Sequence, residues 1–184
     1  MSDMQQLQEQ MDALRKELGQ IKSSGQEDKM SMVLFSGDLD KALAAFIIAT
    51  GSVAMGMEAV IFLTFWGTPL FRKPDKVVAG KDLMGRMFGW MLPKGANKAT
   101  LSKMNMGGMG TVMLKDLMKK KNVASLDQMI DMAAQIGVRI VICEMSMDLM
   151  GFKREEMIDY PDLKYAGVAT FLAEAKKSKV QLFL

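Results

Sequence analysis

The sequence predicts a three-layer α/β/α sandwich around a mostly parallel sheet of four to five strands, preceded by a coiled-coil-like helix. Three observations lead to that class. Short apolar runs rich in branched residues, Met30–Ser36, Glu58–Phe65, Val138–Cys143 and Val180–Leu184, alternate with segments of helical period. No two-residue hairpin signal joins any pair of them, so the strands need crossovers and lie parallel. Ahead of them all, Met4, Leu7, Met11, Leu14, Leu18 and Ile21 alternate spacings of three and four, an a/d heptad seam.

That seam places residues 1–22 in a separate helical segment. Glu, Gln, Lys and Arg fill most of its other positions, and a lone helix of this length is marginal in water, so the seam needs a partner. The partner is either the body of the same chain or a second copy, and self-association is the expectation. Residues 23–29, opening Ser23-Ser24-Gly25-Gln26-Glu27-Asp28, read as a linker, and residues 30–184 as the α/β domain. Met30–Ser36 opens that domain. Gly37-Asp38-Leu39-Asp40 turns into a helix running to about Met55, with Asp38 or Asp40 as its cap. Glu58–Phe65 is the second strand of a right-handed βαβ unit. Residues 42–65 are long enough to cross a bilayer, but Gly51, Ser52 and Gly56 interrupt them, and the period changes at Met57. A buried helix followed by a central strand explains that hydrophobicity without lipid, and membrane association is not expected.

Trp66-Gly67-Thr68-Pro69 follows the second strand and falls at the same sheet edge as the end of the third. Residues 76–79 read as a short strand or extended link, and Asp82–Met91 as a helix. Pro93–Gly110 reads as a long flexible loop holding Met104, Met106 and Met109. Thr111–Lys121 is an amphipathic helix whose terminal lysines complement the helix dipole. Ser125-Leu126-Asp127-Gln128 is a capping box, and Gly137 stops that helix before Val138–Cys143. Ser146 then offers an N-cap for a short helix ended by Gly151. Lys153–Ile158 is a charged turn or short helix, Ala166–Lys177 a helix, and Val180–Leu184 the last strand.

Composition narrows the chemistry. The 184 residues are 49% apolar and 24% charged, as in a soluble globular domain, and the net charge of +3 is too small and dispersed for nucleic acid. One cysteine excludes an internal disulfide and any C-x-x-C motif. The first twenty residues are polar and charged, so no secretory leader is expected and the reducing cytoplasm is the expected location. The absence of histidine removes Ser-His and Cys-His nucleophile pairs and histidine metal sites. No phosphate-binding glycine motif follows a strand, and Gly37-Asp38-Leu39-Asp40 puts carboxylates where a phosphate would sit. The 21 methionines suit an adaptable apolar interior or surface. Met104-x-Met106-x-x-Met109 has the spacing to gather thioethers on copper(I), or is simply an apolar loop.

The lone thiol remains. Cys143 ends a strand, where α/β sheets gather their ligands, and precedes a helix whose N–H groups favour a thiolate. Glu144 beside it opposes ionisation if it points inward. Lacking a resolving cysteine, the thiol either carries a group or forms a mixed disulfide with another protein. It is otherwise a small buried hydrophobe.

Taken together, SMVLFSGDLDKALAAFIIAT, EAVIFLTFWGTPLF, SKMNMGGMGTVMLKDLMKK and VRIVICEMSMDLMG resemble the DsrE/DsrF-like family of small sulfur-carrier proteins, across roughly residues 30–184. The likeness is to its peroxiredoxin-like or disulfide-reductase-regulator-like branch. The most specific part is the Cys-x-x-Ser-Met-x-x-Met-Gly spacing after an apolar strand. The resemblance implies a parallel α/β/α fold, oligomeric assembly, and a cysteine, matched by Cys143, that accepts and passes on sulfane sulfur as a persulfide. It matches Gly37 and Asp38 to a first turn near that cysteine, Trp66 and Gly67 to a second, and Met104–Met109 to a Met-rich loop. Glu144, Met145 and Ser146 complete the expected pocket. The branch name does not carry peroxidase activity over, since no Pro/Thr/Arg peroxide-binding set surrounds Cys143.

The expected function is therefore a sulfurtransferase-like carrier that exchanges sulfur with donor and acceptor proteins and holds no cofactor or metal. The competing readings are an oligomeric scaffold with an inert cysteine and a Met-rich docking loop, or a copper(I)-binding protein using that loop.

Overall fold

A computed structural model of the protein describes residues 3–23, 25–76 and 83–184. Its centre is a five-stranded sheet in the order β4-β3-β2-β1-β5, with every neighbouring pair parallel. The strands are β1 (Glu27–Leu34), β2 (Glu58–Leu63), β3 (Arg139–Cys143), β4 (Lys164–Ala166) and β5 (Ser178–Phe183). The helices are α1 (Asp3–Ser23), α2 (Leu39–Ala54), α3 (Leu83–Met91), α4 (Met109–Lys120), α5 (Leu126–Gln135), α6 (Glu144–Leu149) and α7 (Val168–Lys177).

Strand alternation divides the core in two. Met30, Met32 and Leu34 of β1, Ile61 and Leu63 of β2, and Ile140 and Ile142 of β3 face α2 and α5. Val60, Phe62, Val141 and Cys143 face the other way, onto Phe171 and Ala175 of α7. The sheet is thus the middle of three layers. The larger core lies under α2, whose buried Leu39, Ala42, Ala45, Phe46 and Ala49 recur at helical spacing. Among the described residues no helix is long and apolar enough to cross a membrane, so the apolar stretch through residues 42–65 is a helix and a strand.

Chain order explains where chemistry can sit. The connections from β1 to β2, β2 to β3 and β3 to β4 all pack on the α2 side; in the last of these, Met147, Met150, Phe152, Met157 and Tyr160 join the larger core. The connection leaving β4 is α7, which crosses the opposite face to place β5 beside β1. The reversal falls between β3 and β4, and a crevice opens at such a point beyond the carboxyl ends of the strands. Cys143 pairs with Ala166 across that boundary.

Several boundaries differ from expectation, each for a physical reason. β1 starts at Glu27, inside the stretch read as a linker, because Glu27 is already in register with Ser178 of β5. β2 stops at Leu63, since Phe65 takes a left-handed φ of 43° and opens a 3-10 turn over Phe65–Phe71. β4 is a strand of three residues whose last, Ala166, was expected to open the helix that begins at Val168; so short a run carries no readable period. The region Pro93–Gly110 is tied down rather than loose. Leu39 N–H donates to Thr100 O at 2.8 Å, Ser102 N–H and Oγ donate to Asp40, and Leu101 N–H donates to Thr111 Oγ1. The α3 helix runs as expected from Leu83, while residues 77–82, including most of the proposed short strand, lie outside the described residues. The capping box is present in full: Ser125 N–H donates to Gln128 Oε1 at 2.8 Å and Gln128 N–H to Ser125 Oγ at 3.3 Å.

Candidate functional site

Cys143 is the last residue of β3 and the N-cap of α6, with extended backbone angles (φ −68°, ψ 113°). There is no loop between strand and helix. The expected cap, Ser146, lies instead inside α6 and is completely buried. Its hydroxyl lies 2.8 Å from Thr64 Oγ1 and accepts the Phe65 N–H at 3.0 Å. Three residues beyond Cys143, it therefore pins the short helix to the turn after β2. The Phe65 N–H lies beyond the end of β2, and Ser146 supplies it with an acceptor.

The thiol points to the α7 side and is 3% exposed, within the cluster of Val60, Phe62, Val141, Phe171 and Ala175. Phe62 and Phe171 stack there with ring centroids 5.1 Å apart. The Glu144 carboxylate pairs with Arg154, whose guanidinium also lies 4.7 Å over the Tyr165 ring. Met145 is exposed.

The other expected site residues fall at the same sheet edge but not around the thiol. Gly37 and Gly67 hold the first and second turns together. A Cβ on Gly37 would lie 2.3 Å from Trp66 O, and one on Gly67 2.3 Å from Leu34 O. The backbones meet through Gly67 N–H donating to Phe35 O at 2.9 Å. Asp38 has N-cap geometry for α2, but its carboxylate accepts from Ser36 Oγ at 2.7 Å and pairs with Lys41 at 3.0 Å rather than capping the helix. Asp40 accepts from Ser102; burial works against its charge, but the Ser102 hydroxyl and N–H outweigh it and hold the carboxyl below the usual range. Phe35, Gly37, Asp38, Lys41 and Trp66 line a cleft of about 360 Å³.

Met104, Met106 and Met109 are all exposed. Met104 and Met106 lie in the segment anchored through Asp40 and Leu39 to the α2 side of the sheet, and Met109, expected in the same loop, is instead the first residue of α4, whereas the thiol faces α7. Among the described residues no group of three or more carboxylate or thiol side chains is placed to hold a metal ion. Residues that sequence reasoning passed over are Thr64, Phe65, Arg154 and Phe171. Only Thr64 carried a signal, as a hydroxyl ending an apolar strand.

A parallel α/β domain with one thiol closing a strand at its reversal point is the class that this geometry defines. The chain belongs to the DsrE/DsrF/DrsH-like family, which matches residues 26–183. It is 49% identical over 159 residues to the protein YrkE of Bacillus subtilis (strain 168), covering 86% of this chain and 98% of that one. It is 31% identical over 163 residues to the sulfur carrier protein DsrE2 of Allochromatium vinosum, covering 86% of this chain and 99% of that one.

Proposed function

We propose that the protein carries sulfane sulfur as a persulfide on Cys143, exchanging it with donor and acceptor proteins in a reducing cytoplasm. The observation that carries this reading is the position of the thiol: the carboxyl end of β3, at the N-cap of α6, where the sheet order reverses. In the loading step the Cys143 thiolate attacks the terminal sulfur of a donor persulfide. A new S–S bond forms on Cys143, the donor's S–S bond breaks, and the donor leaves as a thiolate. An acceptor thiolate reverses the exchange. One sulfur atom moves with no net oxidation, so neither an external oxidant nor a second cysteine is needed. Proton transfer is confined to the thiols themselves, which accommodates the absence of histidine.

Burial of the thiol sets the condition on this reading. Sulfur reaches Cys143 only when the cover formed with Phe62 and Phe171 opens, so exchange is gated by partner contact or by movement of α6 and α7. The test is intact-mass analysis after incubation with a persulfidated donor protein. The expected result is a gain of one sulfur atom that Cys143→Ser abolishes. If the wild-type protein gains no more sulfur than Cys143→Ser, the proposal is wrong. The same burial favours the second reading, an interaction scaffold with an inert thiol. That reading predicts alkylation by iodoacetamide no faster in the native protein with donor present than without it.

A further inference from the structure

Helix α1 lies outside the residues matched by the family. It is 21 residues long, and every side chain described along it, from Leu7 to Glu17, is exposed. The described seam residues Leu7, Met11 and Leu14 are 64%, 44% and 58% exposed. The body of the chain therefore does not cover them, and an a/d stripe left in water is a stripe without its partner.

The flanking charges identify that partner. With Met4, Met11 and Leu18 at a and Leu7, Leu14 and Ile21 at d, the e positions are Gln8, Arg15 and Lys22, and the g positions are Asp3, Gln10 and Glu17. The e flank is basic and the g flank acidic. In a parallel pair each g residue meets the e residue five places on in the other helix, which matches Glu17 with Lys22 and Gln10 with Arg15. In an antiparallel pair e meets e and g meets g, setting Arg15 among basic residues and Glu17 among acidic ones. A chain whose flanks complement themselves in one orientation only is built to meet its own copy.

We infer that α1 is a self-association stem that pairs in parallel with α1 of a second copy of this chain. The stem feeds into Glu27 at the amino end of β1, whereas Cys143 closes β3 at the carboxyl end. Parallel pairing through α1 therefore joins two bodies by the edge remote from the thiol and leaves both carboxyl edges open.

The orientation is read by disulfide trapping in the full-length chain, carried in a Cys143→Ser background so that only the introduced thiol reacts. Met4 and Ile21 are 17 residues apart, about 25 Å along a helix. Parallel pairing joins Met4→Cys to itself and Ile21→Cys to itself in covalent dimers under mild oxidation at low concentration, while mixing the two variants yields no crossed product. Adding Leu7→Asp and Leu14→Asp abolishes the Met4→Cys dimer without changing the circular dichroism of the α/β body. A dominant crossed product of Met4→Cys with Ile21→Cys overturns the orientation. Failure of Met4→Cys to dimerise, or its persistence with both aspartates in place, overturns the stem. Sulfur loading plays no part in the readout, so this result and the fate of the persulfide proposal are independent.

Discussion

At Gly37 and Gly67 two backbone turns approach so closely that a methyl group on either would lie 2.3 Å from a carbonyl oxygen. Backbone cannot swing aside as a flexible side chain can, so one turn must separate from the other. Gly37→Ala and Gly67→Ala are each expected to destabilise the fold by about 3 kcal/mol, the upper range for overpacking, read as a lowered urea midpoint. Ser146 makes a subtler contribution. Ser146→Ala leaves the buried Thr64 hydroxyl without this partner and the Phe65 N–H without this acceptor, at a cost of about 1–3 kcal/mol. Because Ser146 also ties α6 down beside Cys143, the same variant should alkylate faster at Cys143 under native conditions. An unchanged alkylation rate beside lowered stability would show that the staple does not govern access to the thiol.

Among the elements, α7 is held to the sheet by both charge and packing. At the amino edge of the sheet, Lys29 of β1 donates to Glu174 of α7 at 2.6 Å, and Arg139 of β3 donates to the same carboxylate at 3.2 Å. The hydrogen bond from Lys29 is the main reason the Glu174 pKa lies below its ordinary 4.5. Burial works against the Lys29 ammonium, but the carboxylates of Glu174 and Glu27 outweigh it and hold its pKa above the ordinary 10.5. A depressed carboxyl pKa contributes stability above the unfolded value that is lost as pH falls through the folded one. A raised ammonium pKa contributes stability below the unfolded value that is lost as pH rises through the folded one. The cluster is therefore at full strength between 4.5 and 10.5 and fades outside that window on both sides. Glu174→Gln should lower stability by about 1.5–3 kcal/mol near neutral pH, the range for hydrogen bonds to charged groups. The difference in Tm from wild type should shrink as pH falls below 4.5. A Tm difference independent of pH would assign the loss to packing of α7 instead.

For the molecule as a whole, period and punctuation made the sheet legible. β1, β2, β3 and β5 are runs of apolar residues long enough to show, and the α5 capping box is a four-residue signal that needs no tertiary context. Cys143 was legible for the same reason, as a polarisable residue closing such a run. What surrounds it was not. The direction in which Cys143 points depends on which face α7 crosses, and Ser146 meets Thr64 across 82 residues of sequence. The least legible feature is the ion pair of Arg72 and Glu156, 84 residues apart with both side chains only 2% exposed, at 3.2 Å. Arg72 ties together most of the irregular layer over the larger core. Its guanidinium donates to Gly89 O at the end of α3 and sits 4.4 Å over the Phe152 ring, and its backbone bridges to Met157. Burial pulls the Arg72 pKa down, with the Glu156 charge opposing that shift. Removing one member of such a pair strands a buried charge, whereas replacing both with apolar groups removes the desolvation cost as well. Arg72→Met should therefore cost about 3–5 kcal/mol, and the double variant Arg72→Met/Glu156→Met should recover much of that loss. The check is urea unfolding of the wild type, both single variants and the double variant. A double variant as unstable as the sum of the singles would mean that the pair holds this layer by its geometry rather than by charge compensation.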